Sequence, residues 1–452
     1  MLSSSCNSSS CNHSQSESGH HWEHTRTKLE SYRRREPEKS VLYRVVSTLH
    51  EELELVWDER YQSEYGVLRD EVKENLAAYL NCGLLDHGAA RVYCDKCQYS
   101  FFVAFSCKGR NLCPSCAAKR AVKFAEHLYD EILADVEHLH IGTSIPKRLR
   151  IFFKYDRKLL SILFQATWAA LKDNLPTDSH GILGLVLTVQ TSGEAINFNP
   201  HQHGILSNCL FLPDGTQKPL PEFNMDALSR SLATYVLTEL VKRELITEEL
   251  KEQVLSQEHT GFNFWFGEPF SDKERKLFVA RYIERGPISL EKLSLEHDIL
   301  TYTTKDGTAH EFDPLDFLAL LTSHMPSRGE SVTRYFGFYS CRTRGERLKL
   351  EAAQRADQTD PNLDMQPLEP LEPKKRPSLT WAECMRRIYE IDPLKCPKCH
   401  SQMRIIAFVT DTKELRAIMK SQGVAQARAP PPIPKPPSES ELFEIPSYDL
   451  FS

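Results

Sequence analysis

Apolar side chains recur at helical spacing between Ser40 and Leu80, at Val41, Leu42, Val45, Val46, Leu49, Leu53, Leu55 and Val56, which predicts two or three helices. The same period returns from Phe152 to Lys172, where Leu159, Leu160, Ile162, Leu163 and Trp168 predict one helix with one apolar face. The pattern then changes. Gly184 to Thr191 is a β-favouring run (Leu185, Val186, Leu187, Thr188, Val189), and Ile196 to Leu212 is a second, so the two predict a strand pair. Leu228 to Leu255 reads as a charged helix, and His138 to Ile145, Phe262 to Phe266 and Ile299 to Thr304 read as short strands. Asp313 can cap a further helix with Pro314 in its first position, running to about His324.

The polar stretches divide the chain. Residues 1–38 are polar and low in complexity and are expected to be disordered; Met1 to His21 has no apolar core and does not read as a signal peptide. Residues 39–135 are expected to form a helical and cysteine-rich domain, and 136–350 a second, larger domain. Residues 351–377 read as a linker, 378–425 as a small module around Cys396-Pro397-Lys398-Cys399, and 426–452 as a disordered proline-rich tail. The 452 residues allow two or three domains, and no apolar run approaches the ~20 residues that cross a bilayer. A cytoplasmic, reducing setting is expected, in which the thirteen cysteines are thiols or metal ligands.

A net charge of -6 excludes a uniformly basic nucleic-acid binder, but the charge is uneven. Cys107 to Lys123 holds five basic residues (Lys108, Arg110, Lys119, Arg120, Lys123) and no acidic one, a candidate patch for a DNA backbone. Arg328 to Lys349 holds six basic and two acidic residues, and within it Arg334 and Arg342 flank Tyr335 and Tyr339.

Three groups of residues carry candidate chemistry. Cys94-Asp95-Lys96-Cys97 and Cys113-Pro114-Ser115-Cys116 are fifteen residues apart, a spacing that can set four thiolates around one Zn²⁺. The aromatic segment between them, Tyr99 to Ser106, could form a short hairpin, with Cys82, His87 and Cys107 nearby. The C-terminal pair Cys396 and Cys399 is a single knuckle with no following ligand beyond His400. His201 and His203 alternate on a predicted strand, so they share a face about 7 Å apart and could chelate one divalent ion. Tyr335 and Tyr339 are four apart, which gives them one face on either a helix or a strand. A phenol titrates near 10 and needs help to attack a phosphodiester, which a metal can supply.

The order of these elements resembles the IS91-type transposases of the HUH (His-hydrophobic-His) superfamily of tyrosine single-strand nucleases. The resemblance runs from about Val41 to Gln422. It rests on the double-knuckle region, the stretch Ser144 to Leu160, the histidine strand around "FNPHQHGIL", "HTGFNFWFGEP", "ARYIERGPIS", "RYFGFYSCRTRG" and the terminal "DPLKCPKCHSQMRIIAF". It implies an α+β fold, an HUH nuclease-like antiparallel sheet with flanking helices, preceded by a helical and zinc-ribbon domain. It implies catalytic Mg²⁺ or Mn²⁺ on His201 and His203, with His259 a candidate further ligand, and structural Zn²⁺ on Cys94, Cys97, Cys113 and Cys116. Tyr335 and Tyr339 would be the nucleophiles, Tyr335 foremost, with Tyr302 the next tyrosine to consider. The implied function is cleavage and rejoining of single-stranded DNA at transposon ends and target DNA through a phosphotyrosine. The alternative is a zinc-ribbon DNA-binding protein without catalysis, which would not need His201, His203 and Tyr335 together. Two positions depart from the family pattern: Gln202 stands where a bulky apolar residue is usual, and Gly286 where relatives often have proline.

Overall fold

A computed structural model describes residues 36–176, 181–357, 383 and 394–421. The chain begins with α1 (Val41–Arg60), α2 (Gln62–Tyr65) and α3 (Asp70–Leu80), then β1 (Ala89–Tyr93), β2 (Ser100–Ala104) and α4 (Pro114–His127). Next come β3 (His138–Ser144), α5 (Arg150–Tyr155), α6 (Leu160–Asp173), β4 (Gly184–Ser192), β5 (Phe198–Ser207), β6 (Cys209–Phe211) and β7 (Gln217–Pro219). They are followed by α7 (Met225–Lys242), α8 (Glu248–Leu255), β8 (Asn263–Phe266), α9 (Lys273–Ile283), β9 (Leu293–Glu296), β10 (Ile299–Thr303) and β11 (Ala309–Phe312). The last elements are α10 (Pro314–Thr322), β12 (Thr333–Gly337), α11 (Cys341–Asp357), β13 (Arg404–Val409) and α12 (Thr412–Ser421). The fold is a mixture of helices and antiparallel sheet. The expected N-terminal polar segment up to residue 35, the linker beyond 357 and the proline-rich tail lie outside the described residues, while residues 351–357 continue α11.

Local chemistry sets several boundaries that periodicity misses. The helix expected from Phe152 to Lys172 breaks at Asp156, whose backbone is extended and whose carboxylate accepts the Lys158 N–H at 2.9 Å. The helix expected from Leu228 to Leu255 splits where Glu244 turns to φ 59° and Thr247 caps α8. The expected Tyr99 to Ser106 hairpin is instead one strand, β2, paired with β1. The Asp313 cap forms as expected, accepting from Leu315 and Asp316 N–H.

The central sheet has five antiparallel strands in the order β12-β4-β5-β3-β8. Directly paired residues share a face, and the register therefore assigns both faces. Leu185, Leu187 and Val189 of β4, Leu206 of β5 and Leu139 and Ile141 of β3 point to one side. They are buried with Leu160, Leu163, Phe164, Ala170 and Leu171 of α6 and Leu232, Val236 and Leu240 of α7. Each fully buried aliphatic chain here contributes roughly 1.5–3 kcal/mol. Gln202 also faces this side and is 1% exposed; its Oε1 accepts from Thr143 Oγ1 at 3.0 Å and Thr167 Oγ1 at 2.6 Å. The side-chain oxygen of Gln202 is thereby satisfied, while its Nε2 is buried without a partner.

The opposite face of the sheet is covered by α4 and α9. Ala125 and Leu128 pack with Val186 and Ile205 of the sheet and Val279, Ala280 and Ile283 of α9. Gly286, just past α9, lies against α4: a Cβ there would come within 2.8 Å of Ala117 Cβ, so a larger residue would not fit without displacement.

His324 ties α10 to the β4–β5 turn. Its Nδ1 lies 3.1 Å from Thr191 Oγ1 and its Nε2 2.6 Å from the Ile196 carbonyl, and it is wholly buried. Burial holds its pKa down at about 4. Between pH 6.5 and 4 the unfolded chain binds a proton there that the folded chain does not. Stability therefore falls as pH drops through that window, by about 3 kcal/mol in all from this group. We expect His324→Gln to flatten the loss of thermal midpoint between pH 7 and 5; an unchanged pH profile would show that other groups govern it.

Candidate functional site

His201 and His203 stand on β5 with Gly204 to Leu206 buried behind them. Strand pairing puts His203 opposite Thr188 and Gly142, and His201 opposite Gln190 and Ser144. Two residues further along, Ile205 pairs with Val186 of β4, and Val186 pairs with Tyr335 of β12. His201, His203 and Tyr335 therefore occupy the same face of one sheet, as the alternation of a strand requires. Two strand spacings and a two-residue offset separate Tyr335 from His203 by roughly 12 Å at the Cα atoms.

The histidines are built to be neutral. His201 Nδ1 lies 2.7 Å from the Asn199 carbonyl, so it carries the proton and leaves Nε2 with an open lone pair. Burial lowers the His201 pKa and pushes His203 down to about 3. His140, from β3, was not foreseen: its ring centroid is 5.2 Å from that of His203, and burial lowers its pKa to about 4. His140 Nε2 and His203 Nδ1 are buried without a hydrogen-bond partner. The signal for His140 was its alternation with His138 on a predicted strand, but only sheet pairing puts it beside His203. His259, the sequence candidate for a further ligand, is exposed and does not line this site. A cavity of about 710 Å³ fronts the pair, lined also by Tyr282, Arg285, Lys292, Tyr302 and Lys305.

The two tyrosines pack in one cluster with Val186 and Ile205 on the histidine side of the sheet, but differ in exposure. Tyr335 lines a second cavity of about 720 Å³. Tyr339 is 0% exposed, with its Oη 2.7 Å from His138 Nε2 and accepting the Ala134 N–H at 3.4 Å. The chain turns between the two because β12 ends at Gly337. That residue has φ 56°, and a Cβ would lie 1.9 Å from the Leu183 carbonyl oxygen, so only glycine makes the turn. Beyond it the two-residue alternation is lost. Arg334, one residue from Tyr335, points to the other face and stacks its guanidinium 4.7 Å from the Phe164 ring. Arg342 is solvent-exposed and pairs with Glu346 at 3.0 Å. The cation beside Tyr335 is Arg344, 5.5 Å from its ring centroid, with its Nε–H donated to the Tyr339 carbonyl at 3.1 Å.

The basic run converges as expected of a patch. Lys108, Arg110, Lys119, Arg120 and Lys123 all line the Tyr335 cavity, with Glu284. Arg110 and Arg120 also donate to backbone carbonyls, which fixes their heads in place. Burial raises the Glu284 carboxyl, against the pull of Arg120 and Arg110. Helix α4 forms part of both cavities: Ala117, Ala118 and Ala121 face the histidine side, and Lys119, Arg120 and Lys123 the tyrosine side.

The cysteines regroup relative to the expected set. Cys94 and Cys97 do not meet Cys113 and Cys116. Cys113 and Cys116, at the start of α4, converge with Cys82 and Cys107, and all four Sγ atoms lie within 4.8 Å of one another. Sγ pairs in this cluster are 3.6 Å (Cys82–Cys113), 3.8 Å (Cys82–Cys116) and 3.5 Å (Cys107–Cys116). A tetrahedral ion with bonds of about 2.3 Å sets sulfur pairs about 3.8 Å apart, so the cluster fits Zn²⁺. Cys107 and Gly109 N–H donate to Cys82 and Cys107 Sγ, both at 3.3 Å. Knuckle spacing predicted one site from Cys94, Cys97, Cys113 and Cys116; the β1–β2 hairpin overturns it by carrying Cys94 and Cys97 to its far end.

Residues 53–145 match a family model described as "Transposase zinc-binding domain", of IS91 type, and residues 184–347 match one described as "Putative transposase". The chain belongs to the IS91-type transposases. It is 22% identical to the "Transposase for insertion sequence element IS801" of Pseudomonas savastanoi pv. phaseolicola over 392 residues, 81% of this chain and 90% of that one. It is 23% identical to the "Putative transposase y4qJ" of Sinorhizobium fredii over 321 residues, 65% of this chain and 80% of that one. No solved structure matches. All four cysteines of the α4 cluster fall inside the matched zinc-binding domain, which supports structural zinc in this transposase. His201, His203 and Tyr335 fall inside the second match, and Cys396 and Cys399 outside both. Among the described residues no helix is long and apolar enough to cross a membrane.

Proposed function

We propose that this transposase cleaves one DNA strand by attack of the Tyr335 hydroxyl on a backbone phosphate and rejoins strands from the resulting phosphotyrosine. The observation that carries this reading is the single sheet face shared by His201, His203 and Tyr335. An HUH-type arrangement, with the histidines on a central strand of an antiparallel sheet, agrees with that placement. His201, through its open Nε2, and His203 would hold Mg²⁺ or Mn²⁺, with His140 at their side; the orphaned nitrogens of His203 and His140 are consistent with such an ion. When bound, the ion would polarise the phosphate and stabilise charge on the leaving oxygen.

The protein's own groups supply the remaining steps. Burial raises the Tyr335 phenol pKa, and the Arg344 guanidinium beside it partly offsets this. Glu284, which lines the same cavity, would accept the phenol proton. The new bond joins Tyr335 oxygen to phosphorus, and the displaced 3′-oxygen leaves as a hydroxyl once protonated. The phosphotyrosine keeps the energy of the broken bond, so rejoining needs no nucleotide cofactor. Tyr339, buried on His138, serves in this reading as packing rather than as a second nucleophile. Single-stranded transposon ends and target DNA are the proposed substrates.

The test is a labelled single-stranded oligonucleotide from the element's end, incubated with Mg²⁺ or Mn²⁺, and the covalent peptide mapped by mass spectrometry. The DNA should map to Tyr335. Tyr282 and Tyr302 line the histidine cavity itself, and an adduct on either would transfer the nucleophile's role there. No adduct under any condition would favour a DNA-binding protein without catalysis.

The patch around Tyr335 makes a separate prediction. Changing Lys119, Arg120 and Lys123 to alanine should weaken binding to all sequences alike and reduce the slope of log affinity against log salt by roughly 2 on single strands. An unaltered slope in a salt titration would show that these side chains do not meet phosphates.

A further inference from the structure

We infer that the protein binds a second structural Zn²⁺, at a four-thiolate site made jointly by its two ends, with Cys94 and Cys97 from the N-terminal hairpin and Cys396 and Cys399 from the C-terminal segment. Neither family match spans this site, because one ends at residue 145 and the other at 347.

Three observations carry it. The four Sγ atoms lie within 4.8 Å of one another, with Cys94–Cys399 and Cys97–Cys396 both at 3.5 Å. This is near the edge of a zinc–sulfur tetrahedron, about 3.8 Å, and far from a disulfide bond of about 2.05 Å.

The two knuckles repeat one backbone shape. Gln98 N–H donates to the Cys94 carbonyl and His400 N–H to the Cys396 carbonyl, both at 2.9 Å. Gln98 and His400 both sit at φ 57°. Cys94 N–H reaches the Tyr99 carbonyl and Cys396 N–H the Ser401 carbonyl, again both at 2.9 Å. The Ser401 hydroxyl lies 3.1 Å from Cys94 Sγ and 2.9 Å from Cys399 Sγ. Donors clustered around sulfurs are what thiolate ligands need.

The surrounding structure holds the two halves in register without relying on the sulfurs. Strand β13 pairs with β1, completing a sheet in the order β13-β1-β2. Arg404 clasps Asp95 through two bonds of 2.8 and 2.9 Å. Val92, Val103 and Met403 bury the sheet side of the site together with Cys94 and Cys396. The C-terminal knuckle lacked a partner pair in its own neighbourhood because its partners lie 299 residues away. All four donors are sulfur, which selects a soft, tetrahedral divalent ion such as Zn²⁺ over Mg²⁺ or Ca²⁺. All four positions of the ion are filled by protein, so the role is structural: the metal pins residues 394–421 onto the zinc-binding domain.

Full-length protein purified without chelator should contain two zinc ions per chain by elemental analysis. The variant carrying Cys396→Ser and Cys399→Ser should contain one, and so should the variant carrying Cys82→Ser and Cys107→Ser. Should the serine variants not fold, thiol labelling of the wild type decides the matter. Cys94, Cys97, Cys396 and Cys399 should resist N-ethylmaleimide as a set and become reactive together on chelation, whereas Cys341, which is exposed, should react throughout. A wild type holding one zinc, a C-terminal variant still holding two, or Cys396 and Cys399 labelling as fast as Cys341 in the metal-loaded protein would overturn the inference.

Discussion

Substituting His203 by alanine is expected to lower the rate of strand cleavage by about 10²–10³-fold, the usual loss when a group that stabilises transition-state charge is removed. DNA affinity and zinc content should stay near the wild-type values, because the imidazole touches neither the basic patch nor a cysteine cluster. Tyr335→Phe should remove the covalent adduct altogether, since phenylalanine keeps the ring and loses the attacking oxygen. Tyr339→Phe gives the contrast. Its hydroxyl is buried against His138 and the Ala134 amide, so its loss should cost about 1–3 kcal/mol of stability while the adduct still forms at Tyr335. Gel analysis of the adduct and a thermal melt for each variant separate these outcomes. Full cleavage by Tyr335→Phe would remove this tyrosine from the mechanism, and loss of the adduct in a well-folded Tyr339→Phe protein would restore Tyr339 as a participant.

The second large effect is expected at Cys82, which no CxxC motif contains. Cys82→Ser should release the zinc of the α4 cluster and lower the thermal midpoint substantially, because binding of a structural zinc is coupled to folding. It should also impair DNA binding, since α4 begins at that cluster and carries Lys119, Arg120 and Lys123. Cys94→Ser should leave the α4 cluster filled. With two sites each of these variants retains one zinc, whereas a single site built from Cys94, Cys97, Cys113 and Cys116 leaves the Cys94 variant with none. Elemental analysis of the Cys94→Ser protein decides between the arrangements.

Alternation along β5 was legible in the residues alone, and with it the common face of His201 and His203 and the opposite placement of Gln202. The basic character of the run from Lys108 to Lys123, the Asp313 cap and the mixed helix and sheet class were legible for the same reason: each depends on neighbours within a few positions. Family likeness was legible too, through several motifs in one order. What the sequence could not supply was pairing between distant segments. Register across three strands brings Tyr335 to the histidine face and His140 beside His203, yet β3, β5 and β12 are far apart in the chain. The turn at Gly337 leaves Tyr339 on the Tyr335 side of the sheet but buries it against His138, and the cation neighbouring Tyr335 is Arg344 rather than Arg334 or Arg342. Knuckle spacing named six of the eight clustered cysteines and grouped four of them wrongly, because a thiolate cluster depends on where hairpins and helices carry the sulfurs. The β1–β2 hairpin separates the two N-terminal knuckles, and the pairing of β13 with β1 brings the third knuckle to the first.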